Sequence, residues 1–127
     1  MKAPVWLRRE DCLAIHQMML SRHGGRAGVR DDGLLESALC RPRNLFAYGF
    51  ATLPELAASY AAGIILDHPF VDGNKRTGFM LAATFLELNG MRFHATEESV
   101  VRMTLGLAGG KLDQGAYAAW LSESCAA

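Results

Sequence analysis

Residues 68 to 78 read HPFVDGNKRTG, and this is the most informative stretch of the chain. This stretch brings an imidazole, a carboxylate, a glycine, an amide and two cations together where a loop runs into a helix. Apolar residues at helical spacing follow it and predict a helix from about residue 75 to 88, closed by Asn89-Gly90. Pro69 disfavours a helical conformation at the residue before it, so we expect His68 in an extended turn.

Two residues of this stretch are candidates for catalysis and metal binding. An imidazole titrates near neutrality and can accept a proton from an attacking hydroxyl, so His68 is the candidate general base. One carboxylate, completed by phosphate oxygens and waters, is a usual environment for Mg²⁺, so Asp72 is the candidate metal ligand. The structural alternatives are a core or capping histidine and a turn or helix-capping aspartate.

The four residues after Asp72 suit a phosphate group. Gly73 permits a positive φ and a close approach of phosphate to the backbone, and Asn74 can cap the helix or donate its amide. Lys75 and Arg76 put positive charge at a helix N-terminus, where the helix dipole disfavours each cation by about 0.3–1 kcal/mol. A bound anion would remove that conflict, whereas the alternative is a pair of solvated surface cations.

Periodicity and capping residues predict five more helices around this stretch. Their approximate ranges are 8–22, 31–42, 54–66, 96–108 and 113–123. Asp31 or Asp32 is expected to cap the second helix, and Pro42 is expected to end it. Thr96 and Asp113 are expected to cap the last two helices. A brief extended piece is predicted at 91–93.

The aromatic-rich segment NLFAYGF, residues 44 to 50, lies between Pro42 and Pro54 and predicts a short hairpin or extended flap. The expected fold class is therefore all-α with one short β-like flap hairpin near residues 44–50. Three residues outside the motif receive weaker interpretations. His16 is expected to be a packed histidine, while Arg30 and Glu36 either support the site or form a surface ion pair.

Length and composition favour a folded protein with a single domain over residues 1–127. Half of the residues are hydrophobic, which argues against disorder. Thirteen basic residues balance thirteen acidic ones, which is not the charge pattern of a protein that grips nucleic acid nonspecifically. We therefore expect no direct nucleic-acid partner.

Three cysteines, Cys12, Cys40 and Cys125, show no CxxC spacing and favour buried thiols in a reducing compartment over disulfides or a zinc site. The first residues carry no signal-peptide pattern, and the most apolar stretch, residues 56–66, is too short to span a bilayer. The expectation is a soluble cytoplasmic protein with no membrane partner.

The motif resembles that of the Fic/Doc family, whose Fic branch carries HPFx[D/E]GNGRxxR. HPFVDGN matches outright, and Arg76 matches the first arginine. Lys75 stands where Fic enzymes have glycine, and Phe79 stands where they have the final arginine. Both departures resemble the Doc branch of death-on-curing toxins, with a motif close to HxFx[D/N][A/G]NKR. Residues 30–42, RDDGLLESALCRP, also resemble the segment before the flap in Doc-like toxins.

The resemblance implies the mostly helical Fic/Doc fold, with His68 as general base and Asp72 holding Mg²⁺ against nucleotide phosphates. It implies that Gly73 and Asn74 form an anion-binding nest, and that Lys75 and Arg76 belong to the phosphate-binding set. It also implies that the flap holds a target segment by strand-like pairing. The flap residues are Leu45, Phe46, Ala47 and Tyr48.

Two activities follow from the two branches. Fic enzymes transfer the AMP part of ATP to a protein hydroxyl, whereas Doc toxins act as kinases that bind the nucleotide turned around. The known Doc target is a threonine of elongation factor Tu, whose phosphorylation stops translation. Lys75 and Phe79 favour the kinase, with ATP and Mg²⁺ as cofactors. The intact HPFVDGN leaves an AMP-transferase as the alternative, and a non-catalytic module that only binds a partner is the third possibility.

The resemblance also implies a partner antitoxin. Fic proteins can carry an inhibitory [S/T]xxxE[G/N] helix, but Ser21, Thr96 and Ser99 are followed at the fourth position by Gly25, Val100 and Met103. Inhibition within the chain is therefore not expected, and a separate cognate antitoxin is.

Overall fold

The structure is a computed structural model that describes residues 2–126. Over these residues it has six helices and two short strands. The helices are α1 (Arg9–His23), α2 (Asp32–Ala47), α3 (Leu53–Asp67), α4 (Asn74–Leu88), α5 (Glu97–Ala108) and α6 (Gln114–Glu123). The strands β1 (Arg92–Phe93) and β2 (Cys125–Ala126) pair antiparallel, with Arg92 opposite Ala126 and Phe93 opposite Cys125. The prediction of a mostly helical fold is confirmed.

Helix α3 lies at the centre of the core, and α2, α4 and α6 pack around it. Eleven of its fifteen residues are buried, which explains why residues 56–66 are so apolar. Small residues let the neighbouring helices approach closely. A Cβ built on Gly63 would lie 2.9 Å from Cβ of Ala38 in α2, and one built on Gly78 of α4 would lie 2.6 Å from Cγ1 of Ile65.

The helix starts follow local capping chemistry. Asp31, Thr96 and Asp113 each accept a hydrogen bond from a backbone N–H in the first turn of the helix they precede. Thr52 and Glu55 form a reciprocal capping box at the start of α3. The predicted caps at Thr96 and Asp113 are confirmed, and Asp31 is the cap of α2. The extended piece predicted near residues 91–93 is found as β1.

The predicted end of the second helix at Pro42 is wrong, because α2 continues through this residue to Ala47. A proline inside a helix removes one backbone hydrogen bond. Here Pro42 is buried, and tertiary packing holds the helix on both sides of it. Ala38 lies against Gly63 before the proline, and after it Phe46 meets Trp6 edge-on with ring centroids 5.6 Å apart.

The hairpin predicted near residues 44–50 is also wrong. Leu45, Phe46 and Ala47 form the last turn of α2, and the Tyr48 N–H closes it by donating to the carbonyl of Asn44. The chain then turns through Gly49 and Phe50, both with positive φ. Leu45 and Phe46 are partly buried against the core at this helix end, whereas Tyr48 and Phe50 are exposed. Within residues 2–126, no helix is both long and apolar enough to cross a membrane.

Candidate active site

The motif loop, residues 68–73, joins α3 to α4 and rests on the segment between α1 and α2. Val29 and Phe70 form an isolated antiparallel bridge. The Val71 N–H donates to the carbonyl of Gly28 at 3.0 Å, and the Arg30 N–H donates to the carbonyl of Pro69 at 2.7 Å. The strand-like contact at the site is therefore made by residues 28–31, which we did not predict. The glycines of the segment between α1 and α2, Gly24, Gly25 and Gly28, are the signal that the sequence offers.

His68 adopts a left-handed conformation, with φ 51° and ψ 55°, and caps the C-terminus of α3. The expected extended turn is therefore wrong. Its N–H still donates to the carbonyl of Ile64, as a helical residue would, so the helix runs directly into it. Pro69 disfavours the right-handed helical region at His68, and the left-handed region ends the helix without unpairing that N–H. The ring is exposed and free to meet a substrate.

Arg30 fixes this helix end from the neighbouring segment. Its Nε donates to the carbonyl of His68 at 2.7 Å, and a terminal nitrogen donates to the carbonyl of Asp67 at 2.9 Å. A cation at a helix C-terminus is also favoured by the dipole. Arg30 thus supports the site, whereas Glu36, the other candidate for this role, pairs with Arg9 of α1.

Asn74 is buried, with 7% of its surface exposed, and its side chain spans the loop. Its Oδ1 accepts from the Phe70 N–H and its Nδ2 donates to the Phe70 carbonyl, both at 3.0 Å. Nδ2 also lies 3.5 Å from Nδ1 of His68, a long contact. Because the Phe70 N–H can only donate, it determines which side of the amide carries the oxygen. In this structure the Asn74 amide therefore supports the loop.

Asp72 presents an exposed carboxylate with two backbone partners. Its Oδ1 accepts from the Gly73 N–H at 2.9 Å, and its Oδ2 accepts from the Arg26 N–H at 3.1 Å. These hydrogen bonds, first that of Arg26 and then that of Gly73, hold the pKa of Asp72 below its ordinary value of 3.8. The carboxylate is therefore ionised at neutral pH, and each oxygen keeps a lone pair for a cation.

Gly73 is the N-cap of α4 in a left-handed conformation, with φ 78° and ψ 16°. Its N–H is engaged by Asp72, so the free donors at this helix end come from the following turn. Lys75 and Arg76 lie in that turn, where backbone N–H groups have no partner within the helix. Both side chains are exposed. Backbone N–H groups and two cations at one helix end form an arrangement that suits an anion.

A groove of about 500 Å³ opens beside this helix end, between α1, α4 and α5. Asp72, Lys75 and Arg76 line one part of it, and apolar side chains of the three helices line much of the rest. The apolar residues include Met19, Phe79, Met80, Val100 and Leu105. His68 is not among the lining residues. The groove suits a ligand with an anionic end and a less polar body.

The predicted flap residues lie elsewhere. Phe46 packs against Trp6, and Tyr48 is 88% exposed at the end of α2. In the described part of the chain, no hydrogen bond joins Leu45, Phe46, Ala47 or Tyr48 to residues 68–76. In this structure these four residues form the end of a helix and no strand, so strand-like pairing with a target segment is not available to them.

Comparisons with known proteins cover most of the chain. Residues 6–86 match the model of the Fic/DOC family, a stretch that includes α1 to α3, the whole motif loop and all but the last two residues of α4. A protein named Toxin Doc from Mycolicibacterium smegmatis is 40% identical over 93 residues, which cover 71% of this chain and 68% of the relative. A protein named Protein kinase doc from Escherichia phage P1 is 35% identical over 104 residues, covering 81% and 82% of the two chains.

Proposed function

Because the chain belongs to the Fic/DOC family, we propose that it is a Doc-type toxin that transfers a phosphoryl group from ATP to a protein. The acceptor is a serine or threonine hydroxyl of a translation factor, with elongation factor Tu as the expected target. A relative named Protein kinase doc supports the phosphoryl transfer, and one named Toxin Doc supports the role as a toxin.

The observation that carries the kinase proposal is the environment of Phe79. In the Fic motif this position holds an arginine that can clamp phosphate with two parallel hydrogen bonds. Here the Phe79 ring joins an aromatic cluster, 5.7 Å from the ring centroid of Phe93 and 6.2 Å from that of Trp120. The cation that would support AMP transfer is replaced by a packed ring, while Lys75 and Arg76 remain at the helix end.

In this proposal His68 accepts the proton of the target hydroxyl. The hydroxyl oxygen then bonds to the γ-phosphorus, the bond from that phosphorus to the bridging oxygen breaks, and ADP leaves with the electron pair. The long contact between His68 and Asn74 leaves the ring free to meet the hydroxyl. Lys75, Arg76 and the N–H groups of their turn hold the phosphates and stabilise the charge of the transition state.

Asp72 fits a magnesium ion. Its carboxylate is exposed, ionised and held in place by two backbone N–H groups, and hard oxygen ligands of this kind suit Mg²⁺. When bound, the ion would neutralise charge on the nucleotide phosphates. The chain supplies this one carboxylate, and the remaining ligands would come from phosphate and water.

An AMP-transferase is the second candidate, because residues 68–74 retain the complete first half of the Fic motif. The two activities share His68 and Asp72 and differ in which phosphorus meets the hydroxyl. The proposed partner in either case is a cognate antitoxin, a separate protein that blocks the toxin.

Protein synthesis in a bacterial cell extract tests this function. The wild-type chain with Mg²⁺ and ATP should stop incorporation of labelled amino acid, and His68→Ala should not. His94→Ala is the matched control, because His94 is an exposed histidine outside the motif loop, and it should inhibit like the wild type. Inhibition by His68→Ala equal to that by the wild type would favour the non-catalytic alternative.

A further inference from the structure

His16 is a buried histidine of α1 that contacts the motif loop through its ring. Only 5% of its surface is exposed, and its Nε2 lies 2.8 Å from the backbone oxygen of Asp72. A carbonyl oxygen can only accept a hydrogen bond, so Nε2 carries a hydrogen and donates it. Both the neutral Nε2–H ring and the imidazolium can make this bond, so the contact does not depend on the charge of the ring.

The plane of this ring is set by Phe70. The two rings stack with centroids 3.8 Å apart and an angle of 10° between their planes. Phe70 is itself held, because Asn74 bonds both its N–H and its carbonyl. The His16 imidazole is therefore oriented by Phe70, whose backbone is fixed by two hydrogen bonds. The imidazole packs beneath the motif loop.

The peptide bond between Asp72 and Gly73 is held at both of its polar groups. His16 donates to its carbonyl, and its N–H donates to the Asp72 carboxylate. The ring also lies close under the left-handed turn, since a Cβ built on Gly73 would be 3.7 Å from both Cδ2 and Nε2 of His16. Rotation of this peptide would turn the Asp72 carboxylate and the first turn of α4 together.

We propose that His16 is a positioning residue for the phosphate site. By fixing the Asp72–Gly73 peptide, it directs the Asp72 carboxylate and the N-terminus of α4 towards one bound phosphate. This inference rests on the proposed function, because it concerns the same ligand. It differs from the expectation of a merely packed histidine, since a packed residue supports stability alone.

Two substitutions separate the hydrogen bond from the packing. His16→Phe keeps a flat ring on Phe70 but has no donor, while His16→Gln keeps an N–H donor at similar reach but loses the stacked ring. We expect His16→Phe to raise KM for Mg·ATP about tenfold, or ~1.4 kcal/mol, with kcat changed less. His16→Gln should restore KM to within about twofold of wild type.

Amide hydrogen exchange gives a readout that does not require catalysis. The Gly73 amide of His16→Phe should exchange about tenfold faster than in the wild type, while amides in the middle of α3 stay protected. His16→Gln should again resemble the wild type. Unchanged KM and exchange in His16→Phe would overturn the proposal, and so would equal defects in both variants, since the donor would then not matter.

The same experiment distinguishes this inference from the proposed function. If the wild-type chain transfers no phosphoryl group, the proposed function fails, whatever the exchange data show. If the wild type is active and His16→Phe has the wild-type KM and exchange rate, the positioning role fails alone. Thermal unfolding of each variant confirms that the compared proteins are folded.

Discussion

The Nε of Arg30 donates to the carbonyl oxygen of His68 at 2.7 Å, across 38 residues of sequence. The same guanidinium also binds the carbonyl of Asp67. One side chain therefore pairs with two carbonyls at the end of α3, next to the candidate base His68. The backbone of His68 is left-handed and its side chain is exposed, and Arg30 stabilises that backbone through its carbonyl. The orientation of His68 therefore depends on the segment between α1 and α2.

Removing Arg30 should therefore impair catalysis more than stability. We expect Arg30→Ala to lower kcat about tenfold or more, because His68 would lose its fixed direction. Arg30→Lys should recover only part of the rate, since an ammonium group lacks the planar fork that meets two carbonyls. Steady-state transfer rates and thermal unfolding measure the two effects. Arg102→Ala, an exposed arginine of α5, is the control, and an equal effect of both alanine variants would contradict this role.

Asp72 should remain ionised in acid longer than an ordinary aspartate. Its pKa is lowered in the folded protein, so its contribution to stability is fully present above the unfolded pKa and is lost as pH falls through the folded pKa. We expect Asp72→Asn to abolish metal-dependent transfer at neutral pH and to flatten the loss of stability below about pH 4. Urea unfolding midpoints of both proteins against pH check this, and parallel profiles would show that the carboxylate is not stabilised.

Asn74 should matter for stability as well as for the site. Asn74→Ala leaves the Phe70 N–H and carbonyl without their side-chain partners, and each buried unpaired group costs about 1–3 kcal/mol. Asn74→Asp should also destabilise the protein, because an ionised carboxylate cannot donate to the Phe70 carbonyl. Chemical unfolding of these variants is compared with that of Asn44→Ala, an exposed asparagine of α2. A loss no larger than in the control would mean that the amide does not support the loop.

Gly63 should tolerate no side chain. A Cβ at this position would lie 2.9 Å from Cβ and 3.0 Å from Cα of Ala38, so α2 and α3 would have to move apart. We expect Gly63→Ala to lower the free energy of unfolding by about 1–3 kcal/mol. Gly115→Ala, in the first turn of α6, meets only a side-chain oxygen at 3.4 Å and should be neutral or slightly stabilising. A stabilised Gly63→Ala protein would mean that α2 and α3 leave space for a methyl group at this contact.

The parts of the fold that sequence predicts well are local. The caps at Thr96 and Asp113 and the helix after the motif depend on residues within a few positions of one another, so short patterns contain them. The continuation of α2 past Pro42 does not follow from a short pattern. It depends on Ala38 against Gly63 and on Phe46 against Trp6, and no pattern near residue 42 reports these contacts.

The candidate site divides in the same way. The motif itself identifies the groups that would contact a substrate, from His68 to Arg76. The residues that hold those groups were predicted weakly or with another role, because His16 and Arg30 bind backbone carbonyls 56 and 38 residues away. A carbonyl belongs to every residue type, so such a partner leaves no trace in the sequence.

The position of the transferred label tests the central claim most directly. The purified chain is incubated with Mg²⁺, elongation factor Tu and ATP labelled at either the γ- or the α-phosphate, with His68→Ala in parallel. The account predicts label on the protein from the γ-position only, lost in His68→Ala. Label from the α-position would contradict it and make the chain an AMP-transferase despite Lys75 and Phe79.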